Sequence, residues 1–185
     1  MKKKQVYCLI VFLSLFLNGC VDNIDFSQAE DLEISPTVAV SLVNATITQN
    51  ELVVGGTEVG SITQTSVVTI LDNSIAQNDL ISAVFQFEIS NQFNRDFRIT
   101  FSFLDENDVN TNNDITLNIA ANNTNFSHEE EIVVANNPTF LNTRKVRVEL
   151  TLLPSSDGSS IDINVPTSFI FKSAGTFYFN INNSN

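Results

Sequence analysis

From Val38 onward, apolar and polar residues alternate along most of the chain, with the period of two that a half-buried β-strand imposes. Successive side chains of a strand point to opposite faces, so every second position shares one environment. Leu80–Ile89 places Ala83, Phe85, Phe87 and Ile89 on one face and Gln86 and Glu88 on the other. Phe97, Ile99, Phe101 and Phe103 repeat the pattern with Arg98, Thr100 and Ser102 opposite, as do Val146, Val148, Leu150 and Leu152 with Arg147, Glu149 and Thr151. Shorter runs predict strands at Val38–Val43, Leu52–Val54, Thr65–Leu71, Ile115–Ile119 and Glu129–Val134, with a short edge strand at Ile161–Val165. Gly55-Gly56, Asp72-Asn73, Asn91–Asn94, Asn122–Asn125 and Asn136-Asn137-Pro138 supply turn chemistry between them. The runs on either side of Asn91–Asn94 are expected to form a hairpin at the centre of one sheet. Phe169–Phe171 and Phe177–Ile181 are expected to form a second hairpin, turning at Gly175.

No stretch of this region sustains a helical period. Short strands separated by turn signals every ~8–12 residues predict an all-β chain of two packed antiparallel sheets, a β-sandwich in the immunoglobulin-like style, with a barrel as the lesser option. A membrane barrel needs an apolar outer band, whereas Glu88, Arg98 and Arg147 occupy the faces opposite the Phe and Val rows.

The alternation does not extend to the first residues. Lys2, Lys3 and Lys4 precede a mostly apolar run from Val6 to Leu17. That is the layout of a signal peptide, and the run is shorter than the roughly 20 apolar residues that span a bilayer. The tetrad Leu17-Asn18-Gly19-Cys20 resembles the lipobox of bacterial lipoproteins. The resemblance implies a signal peptide over 1–19, a diacylglycerol on the Cys20 thiol, cleavage before Cys20 and acylation of the new N-terminus. More than one acyl chain holds a protein firmly to a membrane, where a single chain does not. Residues 20–36 then read as the lipidated N-terminus and an acidic tether, with Asp22, Asp25, Glu30, Asp31 and Glu33 closed by Pro36. About 16 extended residues reach roughly 50 Å at ~3.3 Å each. The sandwich domain is expected over 37–185.

Charge and chemistry narrow the function classes. The chain carries a net charge of −12, and loss of Lys2, Lys3 and Lys4 takes it to −15. Nucleic acid is excluded as a partner, because its binding rests on neutralising phosphates with Lys and Arg. Of two Cys, Cys8 leaves with the signal peptide and Cys20 takes the lipid, so neither a disulfide nor a thiol nucleophile is expected. The one His, His128, is expected as a solvated strand-edge residue, and neither a Gly-x-Ser-x-Gly elbow nor a phosphate loop occurs. No catalytic residue, cofactor or enzymatic role is expected.

One loop has metal-ligand character. Asp105–Asp114 packs carboxylates and Asn carbonyls together, and calcium takes six to eight oxygen ligands. Asp105, Asn107, Asp108 and Asp114 are the candidate ligands. The spacing is not that of an EF-hand, since Val109, Asn110 and Thr116 stand where an oxygen ligand, Gly and Glu belong. Asp105-Glu106-Asn107-Asp108 resembles part of the cadherin linker signature, broken by Val109. The competing reading is a solvated turn, because Asp and Asn bond their own backbone there. Tyr178 is expected to be exposed, and Glu129–Glu131 to be a solvated strand start, with Arg144 and Lys145 facing it across a loop. Trp is absent, which supplies poorly the aromatic platforms on which sugars stack.

In its whole style, lipobox then acidic tether then Asn- and Phe-rich sandwich, the chain resembles small envelope lipoproteins of the Bacteroidota. That implies outer-membrane attachment through Cys20, with the cell surface slightly ahead of the periplasmic leaflet. The expected role is an accessory, structural or partner-binding subunit of an envelope protein complex. The alternative is a surface adhesion module or a ligand-binding module for glycan or protein, calcium-dependent or not.

Overall fold

The strongest alternating runs become the middle strands of two sheets. The computed structural model describes residues 33–182, which form one unit. In chain order the strands are β1 (Glu33–Ile34), β2 (Thr37–Thr48), β3 (Val53–Val54), β4 (Thr57–Glu58), β5 (Ser61–Val67), β6 (Leu80–Asn91), β7 (Phe97–Leu104), β8 (Ile115–Ile119), β9 (Phe126–Val133), β10 (Lys145–Leu152), β11 (Ser168–Phe179) and β12 (Ile181–Asn182). Helix α1 (Gln49–Leu52) follows β2, α2 (Ser74–Asp79) precedes β6, and a 3-10 turn (Pro138–Asn142) precedes β10.

One four-stranded sheet has the order β2-β11-β6-β9 and the other β5-β10-β7-β8, all antiparallel. They pack face to face as a β-sandwich. The predicted apolar rows fill the space between them: Phe85 and Phe87 of β6 meet Phe103 and Phe101 of β7, with ring centroids 5.1 and 4.8 Å apart. Tilted aromatic pairs at this spacing add to the burial of the rings themselves. Phe97, Phe169, Phe177 and Phe140 complete a core in which each ring is almost wholly buried.

The expected hairpin of β6 with β7 does not form. The two strands lie in opposite sheets, and Asn91–Asp96 is an arch between them. A hairpin would have put both Phe rows on one side of one sheet, needing another layer to cover them; crossing over lets the rows cover each other. The arch is held by Asn91, wholly buried, whose amide donates to the carbonyls of Arg95 (2.8 Å) and Ala120 (2.9 Å) and accepts from the Phe93 N–H (3.0 Å). A buried connection needs such partners for its own polar groups.

The expected C-terminal hairpin is likewise replaced by one continuous strand, β11, paired to β2 on one side and β6 on the other. Gly175 does not turn the chain. It sits where a Cβ would come within 3.2 Å of the Phe177 ring, 3.4 Å of Phe85 and 3.5 Å of Leu42, so its missing side chain makes room for aromatic packing. Across from it, β2 carries a bulge: Ser173 pairs with Val43 and Ala174 with Ser41, leaving Leu42 as the extra residue.

Other differences are local. Strand β5 ends at Val67 rather than Leu71, because the chain turns at Thr69–Asp72 and drives Leu71 into the core. Helix α2 was masked by the brevity of its period; Asn73 caps it, accepting from the Ala76 N–H at 2.9 Å. Ile161–Val165 is not a strand, since Asp162 accepts from the N–H groups of Asn164 and Val165 and curls the segment. Gly55 and Gly56 do turn a hairpin, with φ of 61° and 80° between β3 and β4, as a tight two-residue loop demands. Glu33 and Ile34, inside the expected tether, pair with Asn182 and Ile181 as β1 and β12. The expected signal peptide, Cys20 and tether residues up to Leu32 lie outside the described residues.

Candidate functional site

The Asp105–Asp114 loop joins β7 to β8 and is organised from within. The Asp105 carboxylate accepts from the N–H groups of Asn107 (2.8 Å) and Val109 (2.9 Å). Asp108 and Asn112 take left-handed φ of 64° and 62°, which short polar side chains tolerate. Asp108 receives the Lys145 ammonium at 2.7 Å, and this hydrogen bond holds its carboxyl below the usual Asp value. Both carboxylate oxygens of Asp114 accept from the Asn110 amide, at 2.9 and 3.0 Å. One carboxylate oxygen of Asp105, one of Asp108 and both of Asp114 are thus engaged by donors of the protein, Asn107 contributing its N–H, and among the described residues no three acidic, His or Cys side chains converge as a metal set. The same arrangement is what Asp and Asn produce in a solvated turn.

His128 lies on edge strand β9, in register with Phe87, and stacks on that ring at 6.2 Å. Its Nε2 is 3.1 Å from Glu130 Oε2. Glu129 accepts from Gln86, not from a base across a loop. The expected approach of Glu129–Glu131 to Arg144 and Lys145 does not occur, because β9 and β10 belong to different sheets; Arg144 pairs instead with Asp72 at 2.9 Å.

Two further polar clusters are internal fastenings. Arg95, 7% exposed, donates to Glu58 at 2.6 Å and to the Leu153 carbonyl at 2.7 Å, while Glu58 also accepts from the Ile161 N–H. This joins the β3–β4 hairpin, the arch and the β10–β11 connection. Asp157 accepts from the Ser155 and Ser159 hydroxyls and the Ser159 N–H, which hold its carboxyl far below the usual range in an exposed loop.

Among the described residues, what remains without an internal partner is a seam. On one side of the sandwich both sheets end on edge strands β2 and β5. Val43, Ala45 and Ile47 of β2 and Ile62, Gln64 and Ser66 of β5 rim a narrow cleft over Ile99, Val148 and Phe171. Its volume of about 60 Å³ is well below the ~300–1,000 Å³ of small-molecule sites. A shallower hollow of about 210 Å³ continues it along Val40–Val43 and Ser66–Ile70. The inward positions Gln64 and Ser66 cover the apolar floor thinly: Val148 is half-buried while Val146 and Leu150 on the same strand are buried. Neither Thr37–Thr48 nor Ser61–Val67 contains a charged residue, in a chain with 21 acids. The sequence held this signal, two charge-free β-runs in an acidic protein. What it lacked was the topology that places them side by side.

No protein-family profile matches the chain, and no curated protein matches it. Among solved structures it is similar to a protein of Parabacteroides distasonis described as secreted, with TM-score 0.45 and 18% identity over 63% of this chain and 37% of that one. It is similar also to the VP2 subviral particle protein of infectious bursal disease virus, with TM-score 0.44 and 12% identity over 82% of this chain and 34% of that one. A third is tailspike protein 4 of bacteriophage CBA120, with TM-score 0.40 and 14% identity over 80% of this chain and 19% of that one. The chain therefore spans little more than a third of the length of the first two. At these scores and identities, none of the three bears on what this chain does.

Proposed function

We propose that the protein is a lipid-anchored, non-catalytic β-sandwich that serves as an accessory or partner-binding subunit of an envelope protein complex. The observation that carries this reading is the seam between β2 and β5, an uncharged open edge over core residues in an otherwise acidic molecule. Uncharged edges invite pairing with another chain, and the Arg95–Glu58 and Asp157 clusters are engaged in holding loops together. The anchor rests on the Lys-rich, apolar and Leu17-Asn18-Gly19-Cys20 pattern of the first residues. It directs the domain to the outer membrane, with the cell surface slightly ahead.

Crosslinking of the native lipidated protein followed by purification tests the role: a stoichiometric envelope partner is expected, and recovery of the protein alone overturns the accessory reading. Cys20→Ala tests the anchor, since continued membrane fractionation with normal processing contradicts lipidation. The second reading, a surface adhesion or ligand-binding module, calcium-dependent or not, is favoured by Tyr178, 41% exposed on β11. A ligand that binds only the folded state raises its melting temperature, so an unchanged melting temperature on adding calcium removes the metal from that reading.

A further inference from the structure

We propose that the end of the sandwich at which β1 enters rests on the surface of a zwitterionic lipid bilayer, and that Ile34, Ile75, Ile81 and Tyr178 are the residues that meet it. This rests on the lipid-anchored reading above and says how the anchored domain stands on its membrane.

The strand directions bring β1, β12, the starts of β2 and β6 and the end of β11 to one end of the molecule. Ile34 on β1 pairs with Ile181 on β12. Tyr178 is in register with Thr37 and Ser82, while Phe179 pairs with Leu80, so Ile81 is the extra residue of a bulge. The Asn180 N–H donates to the Asp79 carbonyl at 2.8 Å and ties this strand end to α2, which carries Ile75. All four side chains are exposed. Ten large apolar residues are exposed among the described residues, and only Val54, Ile163 and Val165 lie at the opposite end. Apolar surface gathered at one end, unlike residues scattered singly, marks a contact surface.

Where the chain leaves this end decides the occupant. Strand β1 begins at Glu33, and residues 21–32 lead back to Cys20. A segment of that length reaches at most about 40 Å at ~3.3 Å per residue, so a lipid on Cys20 keeps this end close to the bilayer. Tethering on this scale corresponds to an effective concentration on the order of millimolar, at which even a small apolar contact is made. Tyr178 suits such a boundary, with an apolar ring and a hydroxyl that stays wet. The charge of the lipid follows from the surroundings. Asp72, Asp79 and the Asp105–Asp114 loop stand at the same end, Arg144 and Lys145 are already paired with Asp72 and Asp108, and the chain from Cys20 onward is at −15. A surface of anionic lipid attracts basic segments and repels this one; a zwitterionic surface leaves the apolar contact to act.

The chain from Cys20 onward has Tyr178 as its one Tyr, Cys20 as its one Cys and no Trp. Its emission therefore reports this end alone, and its thiol can be coupled at one place. That chain, which contains residues 33–182 entire, is coupled through Cys20 to a maleimide lipid in phosphatidylcholine vesicles, with or without bromine on the acyl chains of the bulk lipid. Loss of Tyr178 emission in the brominated vesicles is expected, with a smaller loss when brominated phosphatidylglycerol replaces the phosphatidylcholine. Ile34→Asp together with Ile81→Asp, both at exposed positions and so compatible with folding, should restore the emission; Val54→Asp, exposed at the opposite end, should not. Unchanged emission, a loss indifferent to the paired Asp substitutions, or a larger loss in the anionic vesicles each overturns the proposal, and unchanged emission returns Tyr178 to the ligand-binding reading. Because the coupling is chemical, the outcome does not depend on lipidation in the cell. Loss of emission while Cys20→Ala stays in the membrane fraction keeps the docking end and removes the lipid anchor. Unchanged emission while Cys20→Ala is released keeps the anchor and removes the docking end.

Discussion

The sandwich has two long sides, and they are finished differently. On the β8–β9 side the inward residues are large and buried: Ile115, Leu117 and Ile119 of β8 and Ile132 of β9 are 5%, 3%, 1% and 5% exposed. Outside them, His128 and Glu130 stand in register with Phe87 and Phe85 and pair with each other, and Glu129 and Glu131 flank them. Inward-pointing and adjacent charges on an edge are a known guard against unwanted pairing. On the β2–β5 side the inward residues are half-buried or exposed, with Gln64 and Ser66 polar among Val43, Ala45, Ile47 and Ile62, and no charge stands on either strand. One side carries inward charge at its edge; the other is uncharged, and its interruption is the bulge at Leu42 on β2.

The sharpest way to break this contrast is to make the same truncation on both sides. Ile119→Ala on β8 removes a wholly buried side chain and is expected to cost about 2–5 kcal/mol, the range for emptying a core site. Ile62→Ala is at an inward position on β5, where the side chain is half-buried, and is expected to cost about 1 kcal/mol because less apolar area leaves the interior. Denaturant unfolding measures both. Equal losses mean that β5 seals its side as tightly as β8 does, and the asymmetry is gone.

A smaller effect comes from removing the guard. Replacing His128 and Glu130 together by Val leaves β9 with four apolar inward residues, Phe126 and Ile132 included, and only Glu129 and Glu131 beside them. Both side chains are more than a third exposed, so folding stability should change little. Sedimentation velocity should show concentration-dependent association that the wild type lacks at the same concentration, as an edge stripped of inward charge permits. A double variant that stays monomeric means that His128 and Glu130 guard nothing.

The same contrast shows what the sequence could and could not reveal. The inner face of β6 and β7 was legible to the residue, because alternation of Phe with Gln, Glu, Arg and Thr has one reading at period two. Which sheet each strand joins was not legible. The link Asn91–Asp96 has turn composition whether it makes a hairpin or an arch, and the deciding bonds from Asn91 run to Arg95 and Ala120, the latter far along the chain. Gly175 misled for a related reason. Gly marks both turns and close approaches, and only the position of the Phe85 and Phe177 rings tells which applies. Of the loop at Asp105–Asp114, its turn chemistry was readable from composition; the Lys145 that engages Asp108 comes from another strand and was not. The seam was invisible as a site, since its residues are ordinary Val, Ile, Thr, Ser and Gln and its meaning lies in which two strands end up as neighbours.

The smallest change tests whether the open side is a vacancy at all. Gln64 faces inward on β5, opposite Val148, yet is exposed. If the floor beneath it is uncovered apolar surface, Gln64→Leu should cover part of it and stabilise the protein by about 0.5–1 kcal/mol, the size of a typical cavity-filling gain. It brings no charge and forces no backbone change, so a loss of stability would mean that the cleft has no room and that the edge residues already pack to completion. The measurement is a denaturant midpoint at unchanged slope, since a changed slope would report a different unfolded state rather than a better-filled seam.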